Sequence, residues 1–148
     1  MDRSERYVPK AQLFATRLVL FQEAIARRLG LTATDLKCLR LIQFGEATTG
    51  AELARETGLT AASVSVVIDR LNGLGYITRE QEEADRRRWR LRAVPAMIAK
   101  VDACYAEHAA TAEAALADYD AREFDVVMRF LDSFAAIFKE SAHALTSK

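Results

Sequence analysis

Between Thr49 and Gly75 the signals that start and stop helices follow one another so closely that the chain can form only two short helices joined by a tight turn. Thr49 and Glu52 have the spacing of a capping box, the hydroxyl closing the first turn and the carboxylate reaching back to it. Gly58 supplies the left-handed residue that ends this helix, and Leu59-Thr60 restarts the chain at once with Thr60 as the next N-cap. In the second helix Val64, Val67, Ile68, Leu71 and Leu74 share one apolar face. Ala62, Ser63, Ser65, Val66, Asp69 and Arg70 lie around the other, and Gly75 ends it. Two capped helices with so short a joint form a helix-turn-helix, whose second helix enters a DNA major groove. Ala61, Ala62, Ser63 and Ser65 are the small or hydrogen-bonding residues that let such a helix approach base edges.

The period then changes. Tyr76-Ile77-Thr78-Arg79 is a short extended run, residues 80–86 are polar, and Arg88-Trp89-Arg90-Leu91-Arg92-Ala93 alternates cation with apolar residue. Alternation of period two on either side of a polar loop is a β-hairpin with one buried face, on which Trp89 joins Leu91.

Upstream, Phe14, Leu18, Phe21, Ile25 and Leu29 recur at helical spacing from Val8 to Leu29, ending at Gly30. Thr32 caps a second helix through Leu39 and Ile42 to about Gly45, with Leu31 and Leu36 as its hydrophobic staple. Downstream, Pro95 opens one long helix carrying Val101, Tyr105, His108, Ala112, Leu116 and Tyr119. Asp120 and Glu123 cap a last one through Phe124, Met128, Leu131 and Phe138 to about Leu145. The expected fold is mainly α with a small β-hairpin wing, a winged helix-turn-helix flanked by long terminal helices. Its divisions are an N-terminal dimerisation helix over 1–30, the DNA-binding region over 31–94 and C-terminal dimerisation helices over 95–148. Three amphipathic terminal helices present more apolar stripe than one chain can cover, so the expectation is a two-fold homodimer, whose symmetry matches palindromic double-stranded DNA.

A net charge of zero excludes a globally basic nucleic-acid binder, but the charge is uneven: +3 over residues 1–48, +2 over 49–100 and −5 over 101–148. Residues 86–100 hold six cations and no acid, so a phosphate-binding surface should be local, around 86–92. No apolar run approaches bilayer length, so no membrane role is expected. Cys38 and Cys104 are spaced for neither a disulfide framework nor a zinc site, which fits a reducing cytoplasm, with Cys38 a buried thiol among Leu36, Leu39 and Ile42. Cys104 and His108 could supply two metal ligands, but no third lies near, so no metal and no cofactor are expected. No Ser-His-Asp set or glycine-rich phosphate loop is visible, and an enzyme is not expected.

Taken together, Leu31-Thr32 with Leu36 and Leu39, Glu52-Leu53-Ala54, Val64-Ser65 with Asp69-Arg70-Leu71, Gly75-Tyr76-Ile77 with Arg79, and Asp85-Arg86-Arg87 resemble the successive landmarks of the MarR family, in order and spacing over about residues 31–92. The resemblance implies a DNA-binding transcriptional regulator, a repressor released by a small apolar or aromatic effector. It assigns Asp85 and Arg87 to the wing's Asp-x-Arg, the arginine entering the minor groove and the aspartate orienting it. Arg70 matches a position that supports a backbone contact, and Ser63 and Ser65 face the major groove. Ala62, Val66, Arg86 and Arg88 complete the expected DNA-binding set. Phe14, Phe21, Tyr105, Phe134 and Phe138 are expected in the core or dimer interface, some lining an effector cavity. The chain departs from the pattern twice: Val66 stands where many relatives carry a polar or basic base-reader, and Ala93-Val94-Pro95 replaces the usual Leu-Thr entry into the next helix. The rival reading is a winged-helix protein-interaction module that has lost DNA binding. Neutral charge and Val66 favour it, and the Arg86-Arg87-Arg88 run opposes it.

Overall fold

The computed structural model describes residues 2–83, 85 and 88–146. Its first helix, α1 (Arg3–Arg28), begins ahead of the apolar period at Val8. The backbone N–H of Asp2 donates to the Glu5 carboxylate at 3.1 Å, so the charged N-terminal residues are helical and Pro9 lies inside the helix. Helix α2 (Ala33–Gln43) opens on a reciprocal box in which Asp35 N–H donates to the Thr32 hydroxyl and Thr32 N–H donates to the Asp35 carboxylate. Helix α3 (Gly50–Thr57) opens on the expected Thr49–Glu52 box. The N–H of Thr48 donates to Glu52 at 2.7 Å and the Thr48 hydroxyl at 3.0 Å, which with the Thr49 bonds holds this carboxyl below the usual carboxylate range. The cap's charge-assisted bonds therefore persist through neutral pH and weaken only as pH falls through that lowered value.

Gly58 takes φ 72° and turns the chain into α4 (Ala61–Gly73), where the Thr60 hydroxyl accepts from Ser63 N–H. Because α4 ends at Gly73, Leu74 sits in its C-cap rather than on the apolar face, and it is exposed, a correction to its expected burial. Strands β1 (Ile77–Gln81) and β2 (Trp89–Ala93) pair antiparallel from Ile77 opposite Ala93 to Gln81 opposite Trp89. The hairpin is tied to the helical lobe at its base: Leu91 N–H donates to Thr48 O at 2.8 Å, Val94 N–H to Tyr76 O at 2.9 Å, and the Tyr76 hydroxyl to Leu29 O at 3.2 Å.

The stretch expected as one helix over 95–119 is two, α5 (Pro95–Ala103) and α6 (Ala106–Leu116). At the joint Cys104 N–H donates to Val101 O and Tyr105 N–H to Asp102 O, a turn tightened to i→i−3 bonding. The tightening lets Val101 stay fully buried in the core while Tyr105 packs edge-on against Phe21. Helix α7 (Ala121–Thr146) opens on the Asp120–Glu123 box.

Leu39, Leu53, Leu71, Ile77 and Val101 are fully buried, so the core lies under α2, α3, α4, the wing base and α5, with Ile25 and Ala26 of α1 at its edge. Neither α6 nor α7 has a buried residue, and α1 and α7 expose apolar side chains including Leu13, Phe14, Phe130 and Phe138. Among the described residues no helix is long and apolar enough to cross a membrane.

Among the described residues one charged residue is buried in this core. Asp35 is fully buried, and Arg70 of α4 donates Nη1 to its two oxygens at 2.9 and 3.1 Å. The Arg70 side chain itself remains 42% exposed, reaching inward from the surface of α4. Removing the cation would strand a desolvated carboxylate, so Arg70→Met should lower stability to urea by about 3 kcal/mol. Thr49→Ala, which loses only a cap, should cost about 1 kcal/mol. Equal losses in the two denaturation curves would show that the pair does no more than a cap.

The buried Cys38 thiol is the second unusual core group. Burial pushes it up to about 11, and the nearby Lys37 cation offsets this only in part. With so little thiolate at neutral or mildly alkaline pH and no exposed surface, Cys38 should resist maleimide in the folded protein and react once guanidinium unfolds it. Mass-spectrometric labelling of Cys38 in folded protein at neutral pH would contradict this.

Candidate nucleic-acid interface

Helix α4 presents its N-terminal half to solvent because its apolar residues recur on one side only. Ala61, Ala62, Ser63, Ser65 and Val66 are all exposed, while Val64, Val67 and Ile68 are buried. The Thr60 hydroxyl donates to Ser63 Oγ at 2.9 Å, so the first turn is held and Ser63 keeps its own hydroxyl proton available. Val66 is 55% exposed, an apolar contact in the middle of a polar face. Arg70 lies on the same helix, but its guanidinium is turned onto Asp35, which makes it first a support for the helix.

Strand parity divides the wing into two faces. Ile77, Arg79 and Gln81 share one face with Ala93, Leu91 and Trp89, and Thr78 and Glu80 share the other with Arg92 and Arg90. On the outer face Arg90 pairs with Glu82 and Arg92 with Glu80. On the inner face Arg79 reaches across to Asp69 of α4. The cationic run read from the sequence is therefore partly neutralised within the hairpin itself. Sequence reasoning missed these glutamates because alternation describes one strand, whereas the partners are set by register.

The tip is closed by Arg88 N–H donating to Asp85 O at 2.9 Å and Glu82 N–H donating to Arg88 O at 3.0 Å. Asp85 and Arg88 are exposed, so both stand at the end of the wing. Arg86 and Arg87 lie outside the described residues. Trp89 corrects an expectation: it does share the Leu91 face, but it occupies the last ladder pair, beyond the reach of the core, and is 50% exposed. It opens onto a cleft whose other walls are Gly50, Ser65, Ile68, Asp69 and Arg79.

A second cleft, of about 830 Å³, lies between α1, α2 and the α5–α6 joint, with Val19, Leu36, Arg40, Phe44, Tyr105 and His108 among its lining residues. Arg40 organises it: Nη1 bonds Asp102 at 2.9 Å and Gln43 at 2.5 Å, and the guanidinium lies 4.6 Å from the Tyr105 ring centre and 5.9 Å from that of Phe44. Of the aromatic residues expected to line a cavity, Tyr105 lies in this wall, with Phe21 packed behind it. Phe14, Phe134 and Phe138 do not line it. Arg40 and Phe44 were not singled out from sequence, since nothing in a helical repeat marks a cation at the end of α2 as facing a cleft.

The model of the MarR family matches residues 29–88. The chain is 32% identical over 147 residues to the uncharacterized HTH-type transcriptional regulator YcgE of Bacillus subtilis (strain 168), covering 97% of this chain and 96% of that protein. Its fold is similar to that of Streptococcus pneumoniae FabT in complex with DNA, with a TM-score of 0.67 at 18% identity, covering 92% of this chain and 97% of that one. It is also similar to Bordetella bronchiseptica BpsR, from a structure that addresses regulation of DNA binding by 6-hydroxynicotinic acid. There the TM-score is 0.57 at 18% identity, covering 91% and 96%.

Proposed function

Given that the chain belongs to the MarR family, we propose that it is a homodimeric transcriptional regulator of palindromic double-stranded DNA, a repressor released by a small effector. The observation that carries this reading is the exposed, small and polar N-terminal face of α4 set beside a hairpin whose tip carries Asp85 and Arg88. In this reading Ala62, Ser63, Ser65 and Val66 meet base edges in the major groove, with Val66 suited to a thymine methyl. Asp85, Arg86, Arg87 and Arg88 form the wing tip in the minor groove, Arg87 as the inserted cation and Asp85 as its orienting partner. Arg70 keeps α4 at the angle this requires and is a positioning residue.

Dimerisation falls to α1, α5, α6 and α7. Exposed Leu13, Phe14, Leu18, Phe130 and Phe138 form stripes that a symmetric copy would bury, and the two-fold axis would set the half-site spacing. The FabT structure with DNA supports the DNA arm of this reading, and BpsR supports effector control. The cleft around Arg40 suits a small aromatic molecule: Val19, Leu36 and Leu41 offer apolar contact, and Arg40, stacked over Tyr105 and Phe44, offers one polar anchor. The pairing of Arg90 and Arg92 with glutamates favours the rival, a protein-interaction module, because it lowers the free cationic charge of the wing.

Four measurements test these assignments. Binding to random duplex DNA should weaken steeply with salt; salt-independent or absent binding would favour the interaction module. Arg87→Ala should weaken specific binding by about 1–3 kcal/mol per half-site and flatten the slope of log K against log salt by about one unit per protomer. Asp85→Ala should act as a milder Arg87→Ala although it removes a negative charge; tighter binding of that variant would overturn the oriented-arginine role. Sedimentation equilibrium should give a dimer, and a stable folded monomer would remove the interface assignment.

A further inference from the structure

We propose that Trp89 is a DNA-contacting residue of the wing, its indole packing against the deoxyribose-phosphate backbone in the cleft between α4 and β2. The inference rests on the DNA-binding reading and adds to it a contact made neither by the recognition face of α4 nor by the arginines of the tip.

Register places the residue. Trp89 and Gln81 form the last pair of the ladder, and the Trp89 side of β2 is the face that turns toward α4, since Leu91 and Ala93 on that face enter the core and Arg79 on it pairs with Asp69. Moving outward along this face, Ala93 is half-buried, Leu91 is buried and Trp89 is half exposed. An indole at that point is neither core nor free surface. It lines a cleft together with Ser65 and Asp69, one turn apart on the side of α4 that turns to the wing, and with Gly50, Ile68, Arg79 and Leu91.

The occupant follows from the neighbours. A duplex read by α4 in one groove and by the wing tip in the next must pass its intervening backbone strand between these two elements. That strand presents apolar sugar faces alternating with anionic phosphates. An aromatic ring packs on the apolar face of a sugar without selecting a sequence, because every nucleotide carries the same sugar. The acid in the cleft, Asp69, is already paired with Arg79, so it adds no unpaired anion against the phosphates. Continuity with the α4 face through Ser65 makes DNA, rather than a second copy of the chain, the occupant.

Trp89 is the chain's single tryptophan, which makes the contact directly observable. A dye-labelled duplex of random sequence reports binding by anisotropy, independently of the indole. On saturation the Trp89 emission should change and its quenching by acrylamide should fall. Trp89→Ala should lose about tenfold in affinity and Trp89→Phe about threefold, with the salt slope unchanged because no charge is removed. Anisotropy showing binding while emission, acrylamide access and Trp89→Ala affinity all stay as in the wild type would overturn the contact and leave the DNA-binding reading intact. Absence of any binding would overturn both. Emission that shifts with protein concentration alone would assign the cleft to a second copy and likewise overturn the proposal. The quenching measurement uses the unaltered protein, so the test stands even if Trp89→Ala folds poorly.

Discussion

A carboxylate with no exposed surface can remain in an apolar core only if every oxygen is engaged, and the way Asp35 meets that requirement organises the DNA-binding lobe. One oxygen accepts from the Thr32 backbone and closes the first turn of α2, and both accept from a single nitrogen of Arg70. Since Arg70 sits on α4, the cap of one helix is joined to the orientation of another, 35 positions further along the chain. Leu36 and Leu39 on α2 and Val67 and Leu71 on α4 belong to the same buried core. Hydrophobic burial alone is indifferent to small rotations of α4 about its axis; a bifurcated charge-assisted bond is not. The exposed face that carries Ala62, Ser63, Ser65 and Val66 is therefore aimed by a residue on the same side of the helix, one turn beyond Val66.

The wing is held by different means. Its ladder is five residues long, too short to be stable by itself, and it borrows stability from the lobe through the Leu91 bond to Thr48 and the packing of Ile77 and Leu91. On the outer face the strands are joined instead by cross-strand ion pairs, Arg92 with Glu80 and, nearer the tip, Arg90 with Glu82. These pairs hold the two strands in register but spend cationic charge inside the hairpin. A chain of zero net charge can still present positive potential to DNA, provided the charge is concentrated at the tip where Arg88 stands.

The terminal helices contribute least to the core of a single chain. α7 leaves all its residues outside the core, yet it is fastened to the lobe at its far end, where Lys139 pairs with Glu46 and Glu56 and the Thr146 methyl lies beside Gly58. Glu46 holds its carboxyl below the usual range through this lysine, and the lysine is raised in turn. The far end of α7 thus meets the turn of the helix-turn-helix itself, so a shift of the long helix would be felt at α3 and α4.

Local signals were enough for much of this. Caps at Thr32, Thr49, Thr60 and Asp120, the left-handed turn at Gly58, the hairpin alternation and the burial of Cys38 were all legible, because each depends on a few adjacent residues and on backbone geometry that the sequence alone dictates. Other features required the fold. The joint at Cys104–Tyr105, where the backbone tightens between Val101 in the core and Tyr105 against Phe21, leaves no mark in a periodic pattern. Trp89 has the parity of a core residue and not the burial, because parity says which face a side chain takes and only the extent of the lobe says how far that face is covered. The partners of Arg70, Arg79, Arg90 and Arg92 were likewise decided by register and helix packing, since a charge finds its counter-ion by distance in space, and distance along the chain does not encode it.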